Sequence, residues 1–163
     1  MNPNREPAGA ERAKATQTRG TFRMACSIRA TVRAPADALW ALLTDAAAFP
    51  RWNSTVSRVE GVIAEGERLA VTVPAAAGRV FRPRVSRVEA GRSKSGSDGF
   101  APMFRGVRTF TLTPNADGST EFAMEEVFSG LMLPMIRGSL PDFGPVFEAY
   151  AADLRRAAEG AAA

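Results

Sequence analysis

Residues 105–129 have the sequence RGVRTFTLTPNADGSTEFAMEEVFS, in which two alternating segments flank a turn at 114–118. A short turn rich in proline, asparagine and glycine is typical of a hairpin between antiparallel strands. Its length predicts a register in which the numbers of facing residues add up to 234. The register matters because it fixes which side chains share each face of the sheet.

One face of this hairpin is apolar apart from two charged residues. The register brings together Leu112 with Phe122, Phe110 with Met124, and Arg108 with Glu126. A buried charge is costly unless it is paired and hydrogen-bonded, so we expect Arg108 and Glu126 to form an ion pair. Two interpretations are compatible with this pair. It is a structural contact that fixes the register, or a polar anchor for a ligand in which Glu126 serves as general base.

The segments before the hairpin predict one strand, two short helices and four further strands. Alternating residues indicate a first strand at 26–33, and helical spacing follows at 35–44 and 46–50. Further strands are predicted at 55–60, 69–73, 80–88 and 92–97, separated by turn residues. Consecutive short connections of this kind favour an antiparallel sheet.

After Gly130 the apolar spacing becomes helical. The large side chains follow each other at intervals of four, three and four residues: Phe143, Phe147, Tyr150 and Leu154. The whole order predicts an α+β fold. Its core is a seven-stranded, curved antiparallel sheet around a long C-terminal helix, with two short helices after the first strand.

The composition excludes several kinds of catalytic site. The 163 residues include no histidine and one cysteine, Cys26. Ser-His-Asp and Cys-His nucleophiles, histidine-ligated metals and an internal disulfide are therefore excluded, and we predict neither a metal nor a cofactor. A lone thiol favours a reducing compartment, so the predicted location is cytoplasmic.

The basic charge does not indicate a nucleic-acid partner. Residues 1–23 carry +3 of the net charge of +4, and 19 of the 21 basic residues are arginine. No basic stripe is visible in the rest of the chain, so no nucleic-acid binding is predicted. The longest apolar run, residues 38–43, is far shorter than the ~20 residues of a membrane helix, and no membrane insertion is predicted.

Residues 1–22 have the composition of a disordered tail. They contain few apolar side chains other than alanine, and prolines and glycines interrupt them. They lack the apolar core of a secretory signal peptide. The predicted organisation is a disordered tail over 1–22 and one folded domain over 23–160.

Five short motifs, in this order, are similar to a known superfamily. They are APADALW at 34–40, LTD at 43–45, FPRWN at 49–53, RTFTL at 108–112 and EVFSG at 126–130. Their order resembles the SRPBCC superfamily of START domains and Bet v 1-type proteins, in particular its polyketide cyclase/dehydrase group. The resemblance implies a helix-grip fold. It also implies a cavity between sheet and C-terminal helix for apolar molecules such as lipids, sterols or polyketides.

Three functions are compatible with this resemblance. The first is a carrier or sensor that binds a hydrophobic small molecule without chemistry of its own. The second is a polyketide cyclase or dehydratase with Glu126 as base, Arg108 as anion stabiliser and Tyr150 as proton donor. The third is a co-chaperone-like interaction protein. The absence of histidine weighs against an enzyme, and nothing indicates an oligomeric state.

The candidate ligand-binding residues come from the loops, the hairpin and the last helix. They are Trp52, Phe104, Arg108, Phe110, Met124, Glu126, Phe128, Met132, Met135, Phe143, Phe147 and Tyr150. The sequence departs from the superfamily's pattern at 91–99, GRSKSGSDG, where relatives have larger apolar residues. This segment predicts either a strand frayed at the sheet edge or a wide polar opening of the cavity, and we favour fraying.

Overall fold

A computed structural model describes residues 12–161 and shows two antiparallel sheets. The strands are β1 (Thr16–Arg19), β2 (Arg23–Val32), β3 (Arg58–Glu60), β4 (Ala70–Val73), β5 (Arg79–Phe81), β6 (Arg84–Glu89), β7 (Ser93–Phe100), β8 (Phe104–Pro114) and β9 (Thr120–Ser129). The large sheet has the order β1-β2-β9-β8-β7-β6, and the small sheet has the order β3-β4-β5.

The long helix packs against the large sheet. The α-helices are α1 (Ala36–Thr44), α2 (Phe49–Trp52), α3 (Leu133–Ile136) and α4 (Phe143–Ala161). Phe147 and Leu154 of α4 are completely buried in the core that α4 shares with the sheet. None of the helices in residues 12–161 has the length and apolar character needed to cross a membrane. The predicted α+β, helix-grip fold is confirmed.

The strands are divided differently from the single seven-stranded sheet that was predicted. The segment predicted as one strand at 80–88 is broken at Arg82 and Pro83 into β5 and β6. Proline has no N–H to continue a ladder, which explains the break. The two sheets stay connected, because Leu69 N donates to Pro83 O (2.9 Å) and Val85 N donates to Glu67 O (2.8 Å).

The hairpin of β8 and β9 has the predicted register. Arg108 faces Glu126, and the neighbouring apolar pairs follow the same sum of 234 from Pro114–Thr120 to Arg105–Ser129. The short turn holds the two strands without a bulge. The inward face can therefore be assigned residue by residue.

The polar segment at 91–99 is not frayed, contrary to the expectation from sequence. Its residues 93–100 form β7, which pairs with β6 on one side and with β8 on the other. Backbone hydrogen bonds of a ladder do not depend on side-chain size, so small polar residues can occupy an interior strand. On the inward face, Gly96 borders the cavity without a side chain and so leaves space there.

The prediction that residues 1–22 are disordered is wrong for part of that segment. Residues 16–19 form β1, which pairs with β2 at the edge of the large sheet. Gln17 Nε2 donates to Asp142 Oδ1 (2.9 Å), and Ala15 N donates to Glu148 Oε1 (3.1 Å). Backbone pairing and contacts with α4 compensate for the scarcity of apolar side chains. Residues 1–11, the rest of the predicted tail, lie outside the described residues.

We expect the contacts of β1 to contribute to stability. A truncation that removes residues 1–22 should melt roughly 2–8 °C below one that removes only residues 1–11, because an edge strand and its contacts are worth about 1–2 kcal/mol. Calorimetry of the two truncated proteins measures the difference. Identical melting temperatures would show that β1 docks without stabilising the domain.

Candidate functional site

A cavity of about 480 Å³ lies between the inward face of the large sheet, the small sheet and α4. Most of its wall is apolar, with contributions from Val59, Val71 and Phe81 on the small sheet and Val146 on α4. A cavity of this size and character is typical of small-molecule sites. Its wall reaches the surface at Arg79, whose side chain is exposed.

The Arg108–Glu126 pair forms a polar patch on this wall. Arg108 Nε donates to Glu126 Oε2 over 2.8 Å, and Arg108 Nη2 donates to the same oxygen. The Arg108 side chain is 28% exposed and the Glu126 side chain 13% exposed, so the pair is mostly buried and still accessible from the cavity. The guanidinium carbon lies 5.3 Å from the centre of the Phe147 ring, which supports the cation from the α4 side.

Cys26 lies beside this pair on the neighbouring strand β2 and is not part of the cavity wall. It faces Glu126 in the β2–β9 ladder and is fully buried. Burial, followed by the negative charge of Glu126, raises the pKa of the Cys26 thiol to about 11. A thiol that stays protonated is a poor nucleophile, so Cys26 is a buried core side chain.

Lys94 is a site residue that the sequence analysis missed. It is a buried residue on the inward face of β7, opposite Phe110, and it borders the cavity. Its Nζ donates to the carbonyl oxygen of Leu43 and lies over two rings, 5.2 Å from the centre of Phe49 and 4.8 Å from that of Phe110. Leu43 is in the last turn of α1, so the ammonium occupies the negative end of that helix.

The environment of Lys94 disfavours its charge. Burial is the main cause and the like charge of Arg108 the second, and together they lower the pKa of Lys94 to about 7. A signal for this residue did exist in the sequence. The chain has two lysines among 21 basic residues, and one of them, Lys94, lies in a predicted strand. A lysine can become neutral when it is buried, whereas an arginine keeps its charge, so the choice of lysine at this position is informative.

Tyr150 borders the cavity from α4 and is fully surrounded by rings. Its ring centre lies 5.6 Å from that of Trp52, 5.7 Å from that of Phe110 and 6.1 Å from that of Phe122. Within residues 12–161 its buried hydroxyl has no hydrogen-bond partner. Burial raises the pKa of Tyr150, so the group is a neutral phenol that can donate a proton to an acceptor.

The structure brings most of the predicted site residues to one cavity. Those that border it are Phe104, Arg108, Phe110, Glu126, Phe128, Phe143 and Tyr150. Met124 and Phe147 are core residues instead, and Trp52 packs behind Tyr150. Met132 and Met135 lie next to and within α3, and Met135 is 82% exposed. In the part of the chain that is described, no cluster of acidic or cysteine side chains could hold a metal ion.

A protein-family sequence model agrees with this geometry. The family described as polyketide cyclase / dehydrase and lipid transport matches residues 12–162. The chain belongs to this family. The resemblance inferred from the five motifs is thereby confirmed, and the matched region includes β1. A search of curated proteins gave no match.

Solved structures share the fold of this chain at low sequence identity. A START superfamily protein from Mycobacterium smegmatis is 18% identical, with a TM-score of 0.64 over 84% of this chain and 98% of that chain. A norcoclaurine synthase point mutant from Thalictrum flavum, in complex with a transition-state analogue, is 16% identical, with a TM-score of 0.67 over 90% and 100%. CalU16 from Micromonospora echinospora is 19% identical, with a TM-score of 0.56 over 87% and 98%. Identities at this level show the fold alone.

The lowered pKa of Lys94 predicts a pH dependence of stability. Folded Lys94 loses its proton near pH 7, whereas the unfolded side chain keeps it to about pH 10.5. The unfolded state therefore binds more protons between these values, and the free energy of unfolding rises with pH. We expect a gain of about 2 kcal/mol between pH 7 and 9.

Urea unfolding at a series of pH values measures this gain. Lys94→Met should abolish it, while Lys14→Met, which changes the other, exposed lysine, should retain it. The series should stop at pH 9, because titration of Cys26 acts in the opposite direction above that value. A flat profile for the unaltered protein would contradict the prediction.

Proposed function

We propose that this protein binds a hydrophobic small molecule, such as a lipid, a sterol-like compound or a polyketide-like compound, as a carrier or sensor in the cytoplasm. The observation that carries the proposal is the apolar cavity of about 480 Å³ between sheet and α4. Family membership supports it, because lipid transport is part of the family's description. Removing the apolar surface of such a ligand from water supplies the driving force.

Native mass spectrometry of the protein from its own cells tests this proposal. We expect an adduct of discrete mass that is released on unfolding and is apolar on chromatography. In vitro, the neutral dye Nile red should bind and gain fluorescence, since it needs only an apolar pocket. A protein that is isolated without adduct and does not bind the dye would contradict the proposal.

A cavity-filling variant makes the dye experiment specific. Gly96 lies on the inward face of β7 opposite Arg108, and a Cβ there would be 3.6 Å from the nearest atom, Arg84 O. Gly96→Leu should therefore fold and occupy part of the cavity, which should weaken dye binding roughly tenfold.

Gly138→Leu is the matched control, because a Cβ at Gly138 meets nothing within 4 Å. It should bind the dye like the unaltered protein. Equal binding by both variants would place the dye outside the cavity.

A second candidate function is a cyclase or dehydratase that uses Glu126, Arg108 and Tyr150. The observation in its favour is that all three border the same cavity. Glu126 could take up a proton, Arg108 could stabilise an enolate, and the Tyr150 phenol could donate. Turnover of a poly-β-ketone that Glu126→Gln abolishes, while dye binding persists, would establish this function. No observation on the described residues favours the co-chaperone-like alternative.

A further inference from the structure

Within residues 12–161, the cavity wall around Phe110 presents hydrogen-bond donors that no carboxylate faces. The centre of the Phe110 ring lies 4.8 Å from Lys94 Nζ and 5.7 Å from the centre of the Tyr150 ring, and all three residues border the cavity. Lys94 Nζ contacts a backbone carbonyl and two rings, which are all neutral. One hydrogen bond to Leu43 leaves two of the three ammonium hydrogens for another acceptor.

The acidic side chains that border the cavity are engaged elsewhere. Glu126 Oε2 accepts both contacts from Arg108 on the neighbouring strands. Asp98 accepts from Gly99 N (2.8 Å) and from Arg82 N (3.3 Å). It also lies four residues along β7 from Lys94, which is about 13 Å in an extended strand. Neither carboxylate therefore compensates the charge of Lys94.

An anion would compensate Lys94 better than a neutral polar group would. A buried ammonium without a counter-charge is unfavourable, and its lowered pKa of about 7 reflects that cost. A ligand hydroxyl or ester would supply an acceptor and no charge. A carboxylate would supply the charge and two acceptor atoms, one for the ammonium and one for the unpartnered Tyr150 hydroxyl.

We propose that the ligand is an amphipathic carboxylic acid whose carboxylate is held by Lys94 Nζ and the Tyr150 hydroxyl. Its apolar part fills the cavity towards the small sheet, where Val59, Val71 and Phe81 form the wall. The inference rests on the proposed function, because it names the class of ligand for the same cavity. It adds a residue and a charge that apolar binding alone does not require.

Displacement of Nile red by dodecanoic acid and by methyl dodecanoate tests this inference. The two probes differ only in the charge of the head group. At pH 6, where Lys94 is charged, we expect the acid to bind at least roughly tenfold more tightly than the ester. At pH 8.5 free Lys94 is mostly neutral, so the preference should fall roughly tenfold or more.

Variants distinguish a role of Lys94 in binding the ligand carboxylate from a role in capping the end of α1. Lys94→Met should remove the preference for the acid over the ester, and Tyr150→Phe should reduce that preference. Lys14→Met, the matched control at the other lysine, should behave like the unaltered protein. If Lys94→Met does not fold, the pH dependence in the unaltered protein still decides.

The outcomes distinguish this inference from the proposed function. Equal binding of acid and ester at pH 6, or a preference that survives in Lys94→Met, would overturn the carboxylate anchor while the apolar cavity stands. Failure of Nile red and both probes to bind would overturn the proposed function and this inference with it. A preference that follows Lys94 and falls with pH supports both.

Discussion

Replacing Phe147 with alanine is expected to remove about 3–5 kcal/mol from the free energy of unfolding. The ring is completely buried, it is not part of the cavity wall, and it meets the ring of Phe143 edge-on at 6.3 Å. Truncation therefore creates a new hole in a packed core, between α4 and the sheet. In a domain of this size, the melting temperature should fall by roughly 6–20 °C.

Phe100→Ala is the matched control for this substitution. It removes the same side chain from the end of β7, where Phe100 is 69% exposed, so a change within about 0.5 kcal/mol is expected. Urea unfolding of both variants gives the comparison. A loss below 1 kcal/mol for Phe147→Ala would contradict the prediction, because it would mean that the ring borders the ligand cavity and is not packed in the core.

The sequence predicted those parts of the fold that depend on residues close together in the chain. The register of β8 and β9 followed from the length of one turn, and it placed Arg108 opposite Glu126. The family resemblance rested on the order of five short motifs, and the family model confirms it. The register is decided within a few residues of the turn, and each motif is a run of consecutive residues, although the order of the motifs spans residues 34–130.

The features that sequence analysis missed depend on partners distant in the chain. Segment 16–19 has no apolar pattern of its own and becomes a strand because β2 offers an edge to it. Lys94 looks like a solvated residue among serines, yet α1, α2 and β8 cover it. Long-range burial of a locally polar segment leaves no periodic signal, and this explains why the site was predicted only in part.

Replacing Glu126 with glutamine is expected to cost about 1.5–3 kcal/mol. The substitution removes the counter-charge of Arg108 and keeps the shape of the side chain, so the loss is that of charge-assisted hydrogen bonds. The cost stays below that of a fully buried pair, because the guanidinium side chain keeps 28% of its surface exposed.

Glu121→Gln is the control on the same strand. Its carboxylate accepts from Arg29 Nη1 at 2.6 Å, yet the two side chains are 75% and 41% exposed, so a change of at most about 0.5 kcal/mol is expected. If both substitutions lower the free energy of unfolding by the same amount, the Arg108–Glu126 pair is no more stabilising than an exposed ion pair.

The double variant Arg108→Met/Glu126→Leu then separates the two interpretations of the pair. Removing both charges leaves no unpaired ion, so much of the stability lost in Glu126→Gln should return.

If the pair serves only to fix the register, the double variant should bind Nile red and the native ligand as before. If it also anchors the ligand, the variant should keep the dye and lose affinity for ligands with a carbonyl or hydroxyl, because those polar groups would enter the cavity without partners. A double variant that unfolds while Glu126→Gln is stable would contradict both interpretations, since it would assign the stability to Arg108 alone.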